Sequence, residues 1–169
     1  MRTLFVSVLV SLVTLGACTS SQSPSEKVDY TQLVNPFVGT DFTGNTYPGA
    51  QAPFGMVQLS PDNGLAGWDR ISGYFYPDST IAGFSHTHLS GTGAGDLYDI
   101  LFMPVTLPYN ETAEGGLGIH SKFSHNDEEA SAGYYRVKLQ DYDINVELTA
   151  TPRCGVQRYT FPKAESMVI

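Results

Sequence analysis

Apolar and polar positions alternate most clearly in the last third of the chain. Val146, Leu148 and Ala150 alternate with Asn145, Glu147 and Thr149, the period of two that turns one set of side chains toward a core and the other toward water. Gln157, Tyr159 and Phe161 resume the pattern after Thr151-Pro152-Arg153-Cys154-Gly155, so the two runs predict strands over 144–151 and 156–161 joined as a hairpin. Further short runs bounded by Gly, Pro, Asn or Asp lie at 56–60, 81–85, 100–105 and 134–139. Short strands at this spacing predict an all-β fold, an antiparallel β-sandwich. Residues 109–132 read as an excursion between strands, with one short strand at 119–123. Helical periodicity is nearly absent, because 17 glycines and 10 prolines leave few windows able to sustain three helical turns.

The amino terminus follows a different pattern. Arg2 precedes an apolar run at 4–15, and Leu15-Gly16-Ala17 places small residues before Cys18. This predicts a bacterial lipoprotein signal at 1–17, lipidation of Cys18 and a polar tether at 18–32 ahead of a domain at 33–169. The run falls short of the ~20 residues that span a bilayer. A cleaved signal with an incidental cysteine is the alternative. The expected location is the bacterial cell envelope, on an outer membrane and facing the periplasm or the exterior.

Composition narrows the partners. Without residues 1–17 the chain loses one base, Arg2, and keeps 8 basic against 17 acidic residues. With no basic patch, nucleic acid is not an expected partner. Apart from Cys18 the only cysteine is Cys154, so the domain has no internal disulfide and depends on its core. The chain stops in the apolar Met167-Val168-Ile169, as though inside a strand, and reads as a piece of a longer polypeptide.

Candidate chemistry gathers in Gly83-Phe84-Ser85-His86-Thr87-His88-Leu89-Ser90-Gly91-Thr92-Gly93-Ala94-Gly95-Asp96, where glycines allow close backbone approach and polar side chains are presented. His86 and His88 would share one side of an extended strand. They are too few for zinc, which takes three or four ligands. A hydrogen-bonded structural pair or a domain contact is the favoured reading, with a direct ligand contact left open. Asp96 and Asp99 are close enough in sequence for a carboxylate pair, yet Asp in such turns most often caps its own backbone. Asp62, Asp69 and Asp78 read as turn formers or solvated groups on the same grounds. Ser85 and Ser90 lack the Gly-x-Ser-x-Gly elbow of a nucleophile. Asn110-Glu111-Thr112 is a formal glycosylation sequon that indicates only a surface loop. Trp68, the single tryptophan, sits in Gly67-Trp68-Asp69-Arg70, placed either as a stacking platform for a sugar ring or as a plug at the edge of the core.

Several ordered blocks together resemble the amino-terminal domain of glycoside hydrolase family 92, exo-acting α-mannosidases. They are Val34-Asn35-Pro36-Phe37-Val38-Gly39-Thr40, Thr46-Tyr47-Pro48-Gly49-Ala50, Ala52-Pro53-Phe54-Gly55-Met56-Val57-Gln58-Leu59-Ser60-Pro61-Asp62, Ser72-Gly73-Tyr74, and the histidine-bearing segment. The resemblance implies a β-sandwich followed by a helical α/α barrel catalytic domain that this chain lacks. It implies hydrolysis of terminal α-mannosidic bonds, as in N-glycans, with inversion. It also implies a calcium ion with ligands mainly beyond Ile169, and no catalytic residue within this chain. Trp68 is the position that would meet the sugar, with Asp69, His86 and His88 as further substrate-binding candidates. The partners expected are α-mannoside glycans, the chain's own helical domain and, through Cys18, a membrane. A stand-alone carbohydrate-binding surface lipoprotein, without hydrolytic activity, is the competing expectation.

Overall fold

The computed structural model describes residues 27–64, 67–91, 97–108, 118–163 and 166–169. Cys18 and the signal, Asp96 and the Asn110 sequon lie outside the described residues. Among those residues there are eleven strands in chain order: β1 (Ala50–Gln51), β2 (Gln58–Asp62), β3 (Thr80–Ile81), β4 (Gly83–Ser85), β5 (Val105–Thr106), β6 (Ser121–Lys122), β7 (Glu129–Ser131), β8 (Tyr134–Leu139), β9 (Ile144–Ala150), β10 (Gly155–Thr160) and β11 (Met167–Val168). Three 3-10 turns, at Tyr30–Leu33, Trp68–Arg70 and His125–Asp127, are the only helical pieces described. The fold is all-β, with antiparallel pairing in every sheet.

The main sheet has the order β10-β9-β8-β7. Tyr135, Val137 and Leu139 of β8 stand directly opposite Leu148, Val146 and Ile144 of β9, and all six are buried. Each such cross-strand pair contributes ~0.2–1 kcal/mol relative to an alanine pair. Burying each aliphatic side chain adds ~1.5–3 kcal/mol. Facing this sheet is a smaller one, β1-β2-β4, whose β1 and β2 pack against β9 and contribute Ala50, Leu59 and Phe84 to the shared core. The pairs β3-β6 and β5-β11 complete the sandwich-like arrangement.

Strand β8 coincides with its expected span, and β9 and β10 lie within a residue of theirs. The hairpin between them closes as expected: the Thr151 N–H donates to the Cys154 carbonyl at 2.8 Å, and Thr151 Oγ1 accepts the Cys154 N–H at 3.0 Å. Elsewhere the structure departs from the sequence pattern. The expected strand at 56–60 is shifted to Gln58–Asp62, because the Met56 N–H is taken by the Pro152 carbonyl at 2.7 Å. Pro61 is tolerated within β2 because its partner Phe84 exchanges both backbone hydrogen bonds with Phe102 instead, at 2.9 and 3.0 Å. The expected strand at 81–85 divides at Ala82, whose N–H donates to the Asp62 carbonyl at 2.7 Å. At 100–105 only an isolated Phe84–Phe102 bridge and β5 form, since Ile100 adopts φ +58°, which a β-branched residue in a strand cannot hold.

Candidate functional site

The turn Trp68–Arg70 projects from the loop that follows β2. Gly67 enters it at φ +94°, a conformation suited to glycine. Trp68 is 60% exposed, which rules out the core-plug reading, and Asp69 beside it is exposed. Arg70 turns away to a bidentate pair with Asp78 and lies 5.5 Å from the Phe75 ring centroid. The Asp78 hydrogen bonds push the Arg70 guanidinium above its ordinary range, with smaller additions from the charges of Asp78 and Asp69.

Beneath this turn lies a buried polar centre. Asp62 and His88 have fully covered side chains, with His88 Nε2 2.9 Å from Asp62 Oδ1. Asp62 Oδ2 accepts the Ser85 N–H at 3.0 Å. The His88 Nδ1 stands 2.7 Å from the Gln58 carbonyl oxygen, a pure acceptor, so Nδ1 carries a hydrogen and donates. With Nε2 facing the Asp62 carboxylate at 2.9 Å, the two side chains form one hydrogen-bonded unit. Ser85 Oγ also approaches Nε2, at 3.2 Å. The three residue types of a nucleophilic triad are thus present, but acid and hydroxyl compete for one nitrogen and Ser85 is fully buried. A triad needs the acid on the other nitrogen.

The centre and the turn are joined by two contacts. Gly73, at φ +88°, fits so closely that a Cβ there would lie 2.4 Å from Asp62 Oδ1 and 3.0 Å from the His88 ring. Tyr98 sets its ring edge-on to His88 at 5.8 Å, and its hydroxyl donates to the Ile71 carbonyl just past the turn. Tyr47 covers the other side of the imidazole at 5.0 Å, and burial pushes its phenol up to about 12.

His86 faces elsewhere. Its Nδ1 meets the Ile100 carbonyl at 3.0 Å, Phe102 lies edge-on at 5.7 Å, and Gly155 of β10 closes against its ring. The two histidines, expected on one side, diverge because β4 ends at Ser85 and the backbone beyond is irregular. Among the described residues no group of three or more His, Cys, Asp or Glu side chains converges as a metal site would. Asp99 is exposed, and its Oδ2 accepts the Thr87 hydroxyl hydrogen bond at 3.1 Å.

Sequence reasoning missed two buried acids. Asp62, read as a solvated turn former, is 0% exposed. Glu128, in an acidic run assigned to an excursion, has a side chain only 1% exposed. It accepts hydrogen bonds from Tyr74 at 2.9 and 3.0 Å and from Tyr135 at 2.6 Å. Asp78, read the same way as Asp62, pairs with Arg70. A hollow of about 460 Å³ on the outer face of the main sheet, lined among others by Tyr134, Arg136, Asn145 and Glu147, shares no residue with the Trp68 turn. Of its charged lining residues, Arg136 pairs with Glu129, and Glu147 is held by Arg158 from outside the hollow; it is read as a solvated face.

Residues 33–169 match the family model of the glycosyl hydrolase family 92 N-terminal domain. The chain belongs to this family. Among solved structures, it is similar to a family GH92 alpha-mannosidase from Bacteroides thetaiotaomicron in complex with mannoimidazole, with 46% identity and a TM-score of 0.76 over 82% of this chain and 19% of that one. A GH92 inverting mannosidase from the same organism is 30% identical, with a TM-score of 0.62, over 82% of this chain and 19% of that one. An uncharacterized secreted glycosidase of Arthroderma benhamiae is 28% identical over 156 residues, 90% of this chain and 20% of the relative. This family 92 domain therefore spans about a fifth of the length of the relatives it matches.

Proposed function

We propose that this family 92 domain is the amino-terminal part of a secreted exo-α-mannosidase, and that it forms one wall of a pocket in which terminal α-mannosidic bonds, such as those of N-glycans, are hydrolysed with inversion. The observation that carries the reading is the 46% identity to an α-mannosidase whose complex contains mannoimidazole. Cys18 is the lipid attachment point that holds the enzyme to the bacterial envelope. Trp68 offers an aromatic face to the C–H face of the sugar, and Asp69 next to it accepts sugar hydroxyls. His86 lies at the rim and His88 supports the wall from behind. The helical catalytic domain covers the exposed apolar loop residues, including Phe54 and Met56.

The chemistry of inversion needs an acid and a base roughly 6.5–9.5 Å apart. Among the described residues the buried acids Asp62 and Glu128 are held by His88 and by two tyrosines; following the family resemblance, the acid and base are assigned to the remainder of the polypeptide. The calcium that the resemblance implies takes ~6–8 oxygen ligands, and the described residues do not supply such a shell; its ligands are assigned outside this chain as well. What the domain contributes is orientation of the sugar, which lowers the barrier without proton transfer.

The test is mannose release from α-mannosides by the longer protein, with and without Trp68→Ala, and by this chain alone. The longer protein should be active, this chain inactive, and Trp68→Ala should lower kcat/KM by about tenfold to a hundredfold, equivalent to ~1.4–2.7 kcal/mol of transition-state binding. Mannose release by this chain alone, or an unchanged kcat/KM on losing the indole, would overturn the reading.

A further inference from the structure

We infer that the Asp62–His88 unit is a positioning pair that sets the place of Trp68, so that His88 acts on the sugar site through the backbone of the tryptophan turn and not by touching the ligand. The inference concerns the geometry of the turn; only its last step, from turn to sugar, rests on the proposed function.

Three observations carry it. First, the pair is a fixed support. Both side chains are fully covered, and both ring nitrogens of His88 are engaged, one by the Gln58 carbonyl at 2.7 Å and the other by Asp62 at 2.9 Å. A ligand hydroxyl could reach the imidazole only by displacing one of these bonds and the covering residues. Second, the chain that leaves the tryptophan turn is seated directly on that support. The Gly73 N–H donates to the Arg70 carbonyl at 2.9 Å, and the Gly73 carbonyl accepts from the Asn63 N–H at 2.8 Å. At the same residue a methyl group would overlap Asp62 and His88. The turn cannot sink further, and its height above the centre is fixed by the van der Waals surface of the pair. Third, Tyr98 grips the turn from the side: it packs edge-on against His88 and donates its hydroxyl to the Ile71 carbonyl. A support from below and a clamp from the side, both bearing on His88, limit the freedom of a side chain that itself stands 60% exposed. Holding an exposed aromatic in one place before the ligand arrives reduces the ordering cost of binding.

Trp68 is the only tryptophan of the chain, so its fluorescence reports this turn alone. The variants are Asp62→Ala, which removes the support, and Tyr98→Phe, which removes only the clamping hydroxyl and keeps the ring. Val146→Ala, in β9 of the other sheet, serves as a control that destabilises the core without touching the turn. Below the unfolding transition, Trp68 anisotropy should fall and iodide quenching should rise in both test variants and stay at parental values in the control. In the longer protein, the same two variants should bind mannoimidazole about tenfold more weakly, a loss of ~1.4 kcal/mol. If Asp62→Ala fails to fold, His88→Gln, which removes the ring that Gly73 and Tyr98 bear on, takes its place, and Tyr98→Phe tests the clamp alone. Parental anisotropy and quenching in the folded variants would overturn the inference. Mobilised Trp68 with unchanged mannoimidazole affinity would uphold the positioning role and overturn the assignment of Trp68 to the sugar.

Discussion

Glu128 makes the sharpest case at the scale of single residues. Its carboxylate accepts from two tyrosines and faces His125 Nδ1 at 2.6 Å, while His125 Nε2 meets the Tyr76 carbonyl at 2.8 Å and the imidazole stacks on Tyr76 at 4.0 Å. Burial first, and the Glu128 charge second, raise the phenols of Tyr74 and Tyr135 well above their ordinary values. Removing the acid strands two buried hydroxyls and one imidazole at once. Glu128→Ala should therefore cost about 3–5 kcal/mol, whereas Tyr135→Phe, which deletes one donor and leaves the acid its other partners, should cost only about 1–2 kcal/mol. Urea unfolding midpoints of the two variants measure the difference, and equal losses would mean that the carboxylate is not the hub. Sequence could not disclose this role. Glu128 stands in an Asn-Asp-Glu-Glu run that looks solvated, and its partner Tyr74 is 54 positions away. Asp62 escaped notice for the same reason: a Pro-Asp pair reads as a turn, and nothing local shows that His88, 26 positions on, comes back to meet it.

Among the elements, legibility followed length. Strands β8, β9 and β10 each run six or seven residues, long enough for alternation to repeat and for a hairpin to fix the register. Of the five two-residue strands described, β3, β5, β6 and β11 owe their pairing to distant partners, as Thr80 does to Lys122, and no local pattern announces them. Gly155 shows how the long hairpin also shapes the site side of the molecule. A Cβ at this position would stand 2.9 Å from His86 Cδ2 and 3.3 Å from Leu59 Cδ2, so β10 and the His86 ring meet at a distance only glycine permits. Gly155→Ala should lower stability by about 1–3 kcal/mol through overpacking and displace the imidazole of His86. Thermal unfolding reads the first effect, and the His86 ring resonances in a histidine-labelled sample read the second. Unshifted His86 resonances would show that the ring does not lean on this strand.

For the whole molecule, what stabilises the fold is an aromatic and aliphatic core threaded by buried phenols, and this gives it a defined alkaline limit. The family blocks along the chain announced that fold as a whole, although the internal pairing that builds it was hidden. Burial raises the phenol of Tyr47 from 10.0 to about 12, and it raises those of Tyr74, Tyr135 and Tyr159 as well. In each case the folded state holds its proton more tightly than the unfolded chain does. The resulting stabilisation is complete below the unfolded value near 10.0, and it is lost as pH rises from there through the folded values, where the unfolded chain has released protons that the folded one retains. Each phenolate formed also adds charge to a chain already at −8, which disfavours the compact state further. Near-ultraviolet titration of the ten tyrosines should therefore divide into an early, reversible class near the ordinary phenol value and a late class that ionises together with loss of the β-sheet circular dichroism signal. Tyr135→Phe should take one phenol out of the late class and leave the early class intact. A single transition near pH 10, with the circular dichroism of the sheets retained throughout, would mean that these phenols are open to water and that the core is not closed around them.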